Sequence, residues 1–261
     1  MKQQLQIVWI LLASLSLTAC EKIIDIKLSD ADKKYVIEGV ITDHDGRTQV
    51  KISQTKNYSS TNDFEGISGA TVRITEEGGN ATQLAETSAG VYVADVKGVP
   101  GKRYILHVDI DGKEFRAVSQ MPQPVNIDSI YTAEMDMGST PEKYVNVLFN
   151  DPAETKNYYR FVYHINGIKV KRIFTRNDDL SDGRLTSASL FSDDREIAVG
   201  DTIKVELQSI DTDVYAYWYS LHRGADGSPS ASPANPVTNL SGGTLGYFSA
   251  HTVNEKTIVV R

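Results

Sequence analysis

The fold is decided by residues 104–117, whose sequence is YILHVDIDGKEFRA. Alternate positions of its first half form one apolar face: Tyr104, Leu106, Val108 and Ile110. A period of two residues is that of a β-strand with one buried face. Asp111-Gly112 then supplies the positive φ angles that a two-residue hairpin turn needs, and Phe115 and Ala117 continue the apolar face on the return strand. The stretch therefore predicts a β-hairpin.

The same pattern extends over a first domain, which we place at residues 35–121. Residues 70–75 (ATVRIT) alternate in the same way, and turn residues recur every eight to twelve positions, as is typical of a β-sandwich. Met121-Pro122-Gln123-Pro124 marks the predicted boundary, because proline lacks a backbone donor and favours extended chain.

A second β-rich domain is predicted at residues 125–261. Its predicted strands are residues 144–149, 158–165, 168–174 and 203–210, with Asn166-Gly167 as a hairpin turn. One helix is expected near residues 213–222, with Asp211 or Thr212 as its cap. Residues 225–243 form a long loop, which is either a functional loop or a connector. The fold class is mainly β: two β-sandwich domains, the second with one short helix and a long loop.

The N-terminal segment has the layout of a lipoprotein signal peptide, which we assign to residues 1–19. Lys2 provides the positive charge, residues 7–17 the apolar stretch, and Leu17-Thr18-Ala19 the small residues before Cys20. The apolar stretch is too short to span a bilayer. Because Cys20 is the sole cysteine, lipidation is favoured over an ordinary secretory signal, which would leave an unpaired thiol outside the cytoplasm. Residues 20–34 then form a lipidated tether to the membrane.

Composition narrows the classes of partner. The net charge of −7 and the pI near 5.3 provide no basic surface, so we expect no nucleic-acid partner.

Two resemblances follow from these motifs. Residues 37–43, 45–46, 69–72, 90–92 and 101–104 resemble the carboxypeptidase-regulatory-like, transthyretin-type β-sandwich, which generally serves as a scaffold. With Cys20 and residues 235–248 (NPVTNLSGGTLGYF), nearly the whole mature chain resembles a domain-of-unknown-function family of Bacteroidota lipoproteins commonly encoded beside TonB-dependent receptors. This resemblance implies an outer-membrane location, facing the cell surface, and a role beside such a receptor in nutrient uptake.

The common catalytic motifs are absent from the sequence. It contains no nucleophile elbow, paired-histidine zinc helix or P-loop, so we expect no enzymatic activity and no cofactor. The acidic segment Asp178-Asp179-Leu180-Ser181-Asp182 could hold calcium, but its spacing does not match the EF-hand. A solvated acidic turn is the favoured interpretation, and we expect no metal site.

The ligand-binding residues are expected on the helix and beside the long loop, because binding residues concentrate on loops held by a rigid scaffold. The candidates are Tyr215, Tyr219, His222, Asn235, Asn239, Tyr247 and Phe248. An alternative for Trp218, Tyr247 and Phe248 is that they close the core. The predicted function is a non-catalytic lipoprotein that captures a ligand or docks for a TonB-dependent receptor. A structural or adhesive surface protein, or a hydrolase with an unrecognised site, is the alternative.

Overall fold

Sixteen strands and one helix occupy the described part of the chain. The structure is a computed structural model that describes residues 33–44, 48–56, 65–136, 141–192, 195–225 and 234–261. The predicted signal peptide, Cys20, most of the tether and residues 226–233 of the long loop lie outside these residues. Residues 33–261 belong to one compact unit. Within the described residues, no helix has the length and apolar character needed to cross a bilayer.

The first half of the chain contains eight strands: β1 (Tyr35–Thr42), β2 (Thr48–Gln54), β3 (Thr71–Glu76), β4 (Ala81–Gln83), β5 (Ala85–Ser88), β6 (Val91–Ala94), β7 (Arg103–Ile110) and β8 (Lys113–Gln120). The second half contains β9 (Ile127–Asp136), β10 (Pro141–Asn150), β11 (Tyr158–Ile165), β12 (Ile168–Lys169), β13 (Phe174–Asn177), β14 (Leu185–Leu190), β15 (Thr202–Ile210), α1 (Thr212–Ala225) and β16 (Leu245–Val259).

Three sheets result from the pairing of these strands. The largest has nine strands in the order β12-β11-β15-β16-β1-β2-β6-β5, with β13 paired to β11. A four-stranded sheet has the order β4-β3-β7-β8, and a three-stranded sheet the order β14-β10-β9. The mainly β fold class with a single helix in the described residues is confirmed.

Both predicted hairpin turns are confirmed. Ile110 pairs with Lys113 across Asp111-Gly112, whose φ angles are 49° and 74°. Ile165 pairs with Ile168 across Asn166-Gly167, whose φ angles are 51° and 78°. Asn, Asp and Gly tolerate this left-handed region, which explains why a two-residue pattern was sufficient to locate the turns.

Two hydrophobic cores lie on either side of the predicted boundary. Met121 is the last residue before Pro122 in the first core, and Val125 is the first residue of the second. The first core also contains Leu240, Phe248 and Ala250, which the sequence analysis places in the second domain. One core therefore lies on each side of Pro122, and the C-terminal segment contributes to the first.

Strand β16 joins the two cores. Its first part, from Leu245 to His251, pairs in parallel with β1, and its second part, from Thr252 to Val259, pairs antiparallel with β15. Gly246 has a φ of 100°, and a Cβ there would lie 2.0 Å from the Ile37 carbonyl oxygen. The close approach of β16 to β1 consequently requires glycine at this position.

The helix begins where the sequence predicts. Asp211 Oδ1 accepts a hydrogen bond from Val214 N at 2.9 Å, so Asp211 is the N-cap. The helix continues to Ala225, beyond the predicted end at residue 222.

Residues 168–177 differ from the prediction of one strand at 168–174. They form the two short strands β12 and β13, because Val170 turns into the second core while residues 171–173 leave the ladder. The sequence also gives no prediction for β9, whose outer half is exposed and polar.

Candidate functional site

A cleft of about 750 Å³ lies between the two cores. Its walls come from the end of β8 with the following residues 121–123, the β10–β11 loop at residues 152–158, and the junction of β15 and α1 at residues 210–213. The volume falls in the range of small-ligand sites, and the elements that form it belong to both cores. It is larger than the cavities of about 290 Å³ and 250 Å³ that lie beside Arg116.

Asp211 connects the two cores at this cleft. Its Oδ2 accepts hydrogen bonds from Ser119 Oγ at 2.5 Å and from Gln120 N at 3.0 Å, both on β8. Ser119 Oγ in turn accepts from Ala250 N on β16 at 2.8 Å. Burial raises the pKa of Asp211 even though these donors stabilise its ionised form.

The rest of the lining combines polar side chains with a larger apolar surface. Side-chain amides come from Gln120, Gln123 and Asn157, and charged groups come from Arg103, Lys156 and Asp213. Lys156 Nζ lies 2.9 Å from Asp179 Oδ1 and 3.4 Å from Asp178 Oδ1, and these hydrogen bonds raise the pKa of Lys156. Met121, Tyr158 and Ile210 provide the apolar surface. Such a lining suits a ligand with hydrogen-bonding groups and an apolar or ring portion.

A row of tyrosines runs from the cleft along the helix. The ring centroid of Tyr158, in the cleft, lies 5.0 Å from that of Tyr215. Tyr215 in turn stacks on Tyr219, with 5.7 Å between the ring centroids. Arg223 lies 5.8 Å from the Tyr219 ring. Tyr219 is 42% exposed. Two of the predicted ligand residues, Tyr215 and Tyr219, therefore adjoin the cleft and offer aromatic surface to solvent.

The opposite side of the helix packs against the nine-stranded sheet. The ring centroid of Tyr247 lies 4.8 Å from that of Tyr217 and 5.0 Å from that of Trp218. The Arg160 guanidinium lies 3.6 Å from the Trp218 ring centroid. Burial raises the pKa of Tyr247 to about 12. Tyr247 therefore serves helix packing in this structure, in agreement with the alternative weighed for it.

The other predicted ligand residues do not line the cleft. Phe248 is fully buried in the first core, a placement that does not fit contact with a ligand. The Asn239 side chain bridges Phe248 and Val118, donating to both carbonyls and accepting from Phe248 N, so it fastens the long loop to two strands. His222 is half-buried in the last turns of the helix, and Asn235 is exposed.

The long loop is fastened over its described part, residues 234–243. Ser241 N donates to the Arg116 carbonyl at 2.8 Å, and Arg116 N donates to Ser241 Oγ at 3.0 Å. Leu240 forms a bridge with Ala117 and enters the first core. This part of the loop acts as a clamp on β8.

The acidic segment is not solvated throughout. Asp178 is only 2% exposed, and Asp151 from the end of β10 is 3% exposed beside it. Asp151, Asp178 and Asp182 each place one carboxylate oxygen within 4.8 Å of the other two. Burial, together with the negative charges of Asp178 and Asp182, raises the pKa of Asp151. The prediction of a solvated turn is wrong for Asp178, because the sequence does not show that Asp151 approaches it.

Sequence reasoning missed most of the cleft residues. Gln120, Gln123 and Asn157 carry no motif, and they meet only through the packing of the two cores. Asp211 was recognised solely as a helix cap, since its contacts with β8 join residues 91 and 92 positions apart. The prolines at 122 and 124 were the one local signal, because inter-domain junctions often form binding clefts.

Comparison with known proteins identifies the family. The model of a domain of unknown function, DUF4249, matches residues 21–257. The chain belongs to the DUF4249 family. The matched residues include most of both cores and all but the last two residues of β16.

Among curated proteins, none matches this DUF4249 chain. Among solved structures, it is similar to a segment of two fibronectin type III domains from chicken tenascin. That likeness has 13% identity and a TM-score of 0.23, and covers 68% of this chain and 91% of the tenascin segment. At this TM-score the likeness adds nothing to the fold described above.

Proposed function

We propose that this protein is a non-catalytic, surface-facing outer-membrane lipoprotein that captures a polar ligand, or docks a polar segment, in the cleft between its two cores. It would act beside a TonB-dependent receptor. The observation that supports the binding role is the cleft itself, with its amide, charged and aromatic lining. The lipobox at Cys20 supports the membrane anchor, and the resemblance given by residues 235–248 supports the receptor partnership.

The structure suits capture because two walls of the cleft, the end of β8 and the junction of β15 with α1, are joined to each other. Asp211 connects β15 and α1 to β8, and the clamp at residues 234–243 contacts the same edge of β8 further along the strand. A pre-formed cleft loses little conformational entropy when a ligand binds. Tyr158, Tyr215 and Tyr219 extend the binding surface with rings that stack on planar or sugar-like groups.

Co-purification tests the receptor partnership. The lipidated protein, extracted in detergent from its native membrane, should co-purify with the receptor encoded beside it. Gln123→Trp and Thr155→Trp place bulk in the cleft and should reduce recovery of the receptor by at least about tenfold, the effect of 1.4 kcal/mol in binding. Gln83→Trp, an exposed position on the edge strand β4, is the matched control and should leave recovery unchanged.

Two outcomes would reject the proposal. One is absence of the receptor from the wild-type complex together with intact adhesion in cells that lack the receptor, which would favour an adhesive protein. The other is equal recovery with wild type and both cleft variants, which would remove the cleft from the binding surface.

The anchor is tested separately. Cys20→Ser removes the sulfur that would carry the glyceride, so the protein should move from the detergent phase to the aqueous phase. Several acyl chains are needed for stable anchoring, because each buried methylene contributes about 0.8 kcal/mol. Unchanged partitioning would contradict lipidation at this residue.

A further inference from the structure

We propose that Asp151, Asp178 and Asp182 form a calcium site that joins the β10–β11 loop to the turn after β13. This inference is independent of the proposed binding function. One carboxylate oxygen from each residue lies within 4.8 Å of the other two. Two oxygens that are each about 2.4 Å from one calcium ion are at most about 4.8 Å apart, and the three oxygens meet this limit.

The observation that points to a ligand is a pair of buried oxygens. Asp151 Oδ2 has no hydrogen-bond partner among the described residues, and Asp151 is only 3% exposed. Ser181 Oγ, in a residue 2% exposed, lies beside Asp151 without reaching hydrogen-bond geometry and is also unpaired among those residues. A buried oxygen without a donor costs free energy, and a cation held by both oxygens would remove that cost.

The carboxylates are held in place by contacts on their outer sides. Tyr159 OH donates to Asp151 Oδ1, Asn157 N donates to Asp178 Oδ2 at 2.8 Å, and Glu154 N donates to Asp182 Oδ1 at 3.0 Å. Donors of this kind orient ligand carboxylates in metal sites. Each carboxylate thereby has a fixed direction before an ion binds.

The donor set selects a hard cation. Carboxylate and hydroxyl oxygens are the ligands of Ca²⁺ and Mg²⁺, and the set contains no histidine or thiolate that would favour zinc or copper. Mg²⁺ demands a near-ideal octahedron at about 2.0–2.1 Å. Carboxylates from two separate segments, with Asp151 on one and Asp178 and Asp182 on the other, suit the longer and more variable bonds of Ca²⁺.

Lys156 is a cation at the edge of the cluster. Its Nζ lies 3.4 Å from Asp178 Oδ1 and 2.9 Å from Asp179 Oδ1, and its side chain is 68% exposed. It therefore contacts the outer edge of the cluster and pairs best with Asp179. The Asp151 and Asp182 charges are not matched by this lysine, and calcium would match them.

An ion at this position would order one wall of the cleft. Asp151 N already donates to the Arg184 carbonyl at 3.0 Å, so the two segments meet through the backbone. Residues 152 and 155–158 of the same loop line the cleft. Calcium binding would thus stiffen the cleft without occupying it.

Calcium chloride added to the chelator-treated mature protein tests the proposal. Calorimetry should show one site, and Ca²⁺ at about 100 times its Kd should raise Tm by roughly 5–10 °C. Asp182→Asn removes one ligand charge at an exposed position, so the variant should fold and its calcium affinity should fall at least tenfold. Asp179→Asn changes the neighbouring exposed carboxylate outside the triad and should bind calcium as the wild type does.

Four results would overturn the proposal. They are no Tm shift in the wild type, an equal shift in Asp182→Asn, an equal shift with Mg²⁺, and an equal shift with sodium chloride at matched ionic strength. None of them bears on receptor co-purification, so failure of the metal site and failure of the proposed function are distinguishable.

Discussion

Asp211→Ala should destabilise the protein more than any other single carboxylate change at the junction of the cores. Loss of the N-cap costs about 1 kcal/mol, and the buried Ser119 hydroxyl left without its acceptor costs about 1–3 kcal/mol. Gln120 N faces solvent, so water replaces its lost acceptor. The expected loss in unfolding free energy is about 2–4 kcal/mol, which lowers Tm by roughly 5–15 °C in a protein of this size.

Urea unfolding followed by tryptophan fluorescence measures this loss. Trp218 is the one tryptophan outside the predicted signal peptide, and it lies on the helix that Asp211 caps. Asp213→Ala is the control, because this exposed carboxylate in the first turn makes a favourable interaction with the helix dipole of about 0.3–1 kcal/mol. Equal losses for the two variants, or a loss below about 0.5 kcal/mol for Asp211→Ala, would refute the role assigned to Asp211.

Three further predictions follow from described contacts. Because burial raises the pKa of Asp211, its contribution to stability is full below the ordinary aspartate pKa and is lost as pH rises through the raised value. The unfolding free energy of the wild type minus that of Asp211→Asn should therefore decrease across this window. An increase would contradict the pKa shift. Gly246→Ala should lower the free energy of unfolding by more than about 3 kcal/mol, because its Cβ would meet the Ile37 carbonyl. The control, Gly243→Ala, has a φ of 74° and no neighbour within 4 Å, so it should lower this free energy, measured by urea unfolding, by about 1–2 kcal/mol. Similar values for the two variants would count against the close approach of β1 and β16. Arg160→Met should lower the free energy of unfolding by about 0.5–2 kcal/mol and change the Trp218 emission spectrum. The control, Arg223→Met, should leave the spectrum unchanged. An unchanged spectrum in Arg160→Met would rule out the contact between Arg160 and the Trp218 ring.

Local features were predictable from the sequence because their causes are local. Asp111-Gly112 and Asn166-Gly167 form turns through their own backbone preferences, and Asp211 caps the helix that follows it. The alternation at residues 104–110 located a strand because one face is buried. Each of these predictions needed fewer than about ten residues of context.

Features formed by distant segments were not predictable in this way. Phe248 was a candidate for ligand contact, yet the parallel pairing of β16 with β1 buries it. Asp178 was expected in solvent because the approach of Asp151, far away in sequence, is set by the packing of β10 against β14. Arg160 escaped attention because a single arginine in a strand carries no pattern, and its contact with Trp218 depends on where the helix docks.

The pairing of β16 with β1 also determines when the first core can be completed. Val36 must find Leu245 more than two hundred residues later, and such long-range parallel pairing is slow to form. A chain cut before residue 245 would leave the backbone donors and acceptors of β1 open along one side, a template for pairing with another chain. Truncation products of this protein should therefore aggregate through their N-terminal half, although every residue of that half is intact.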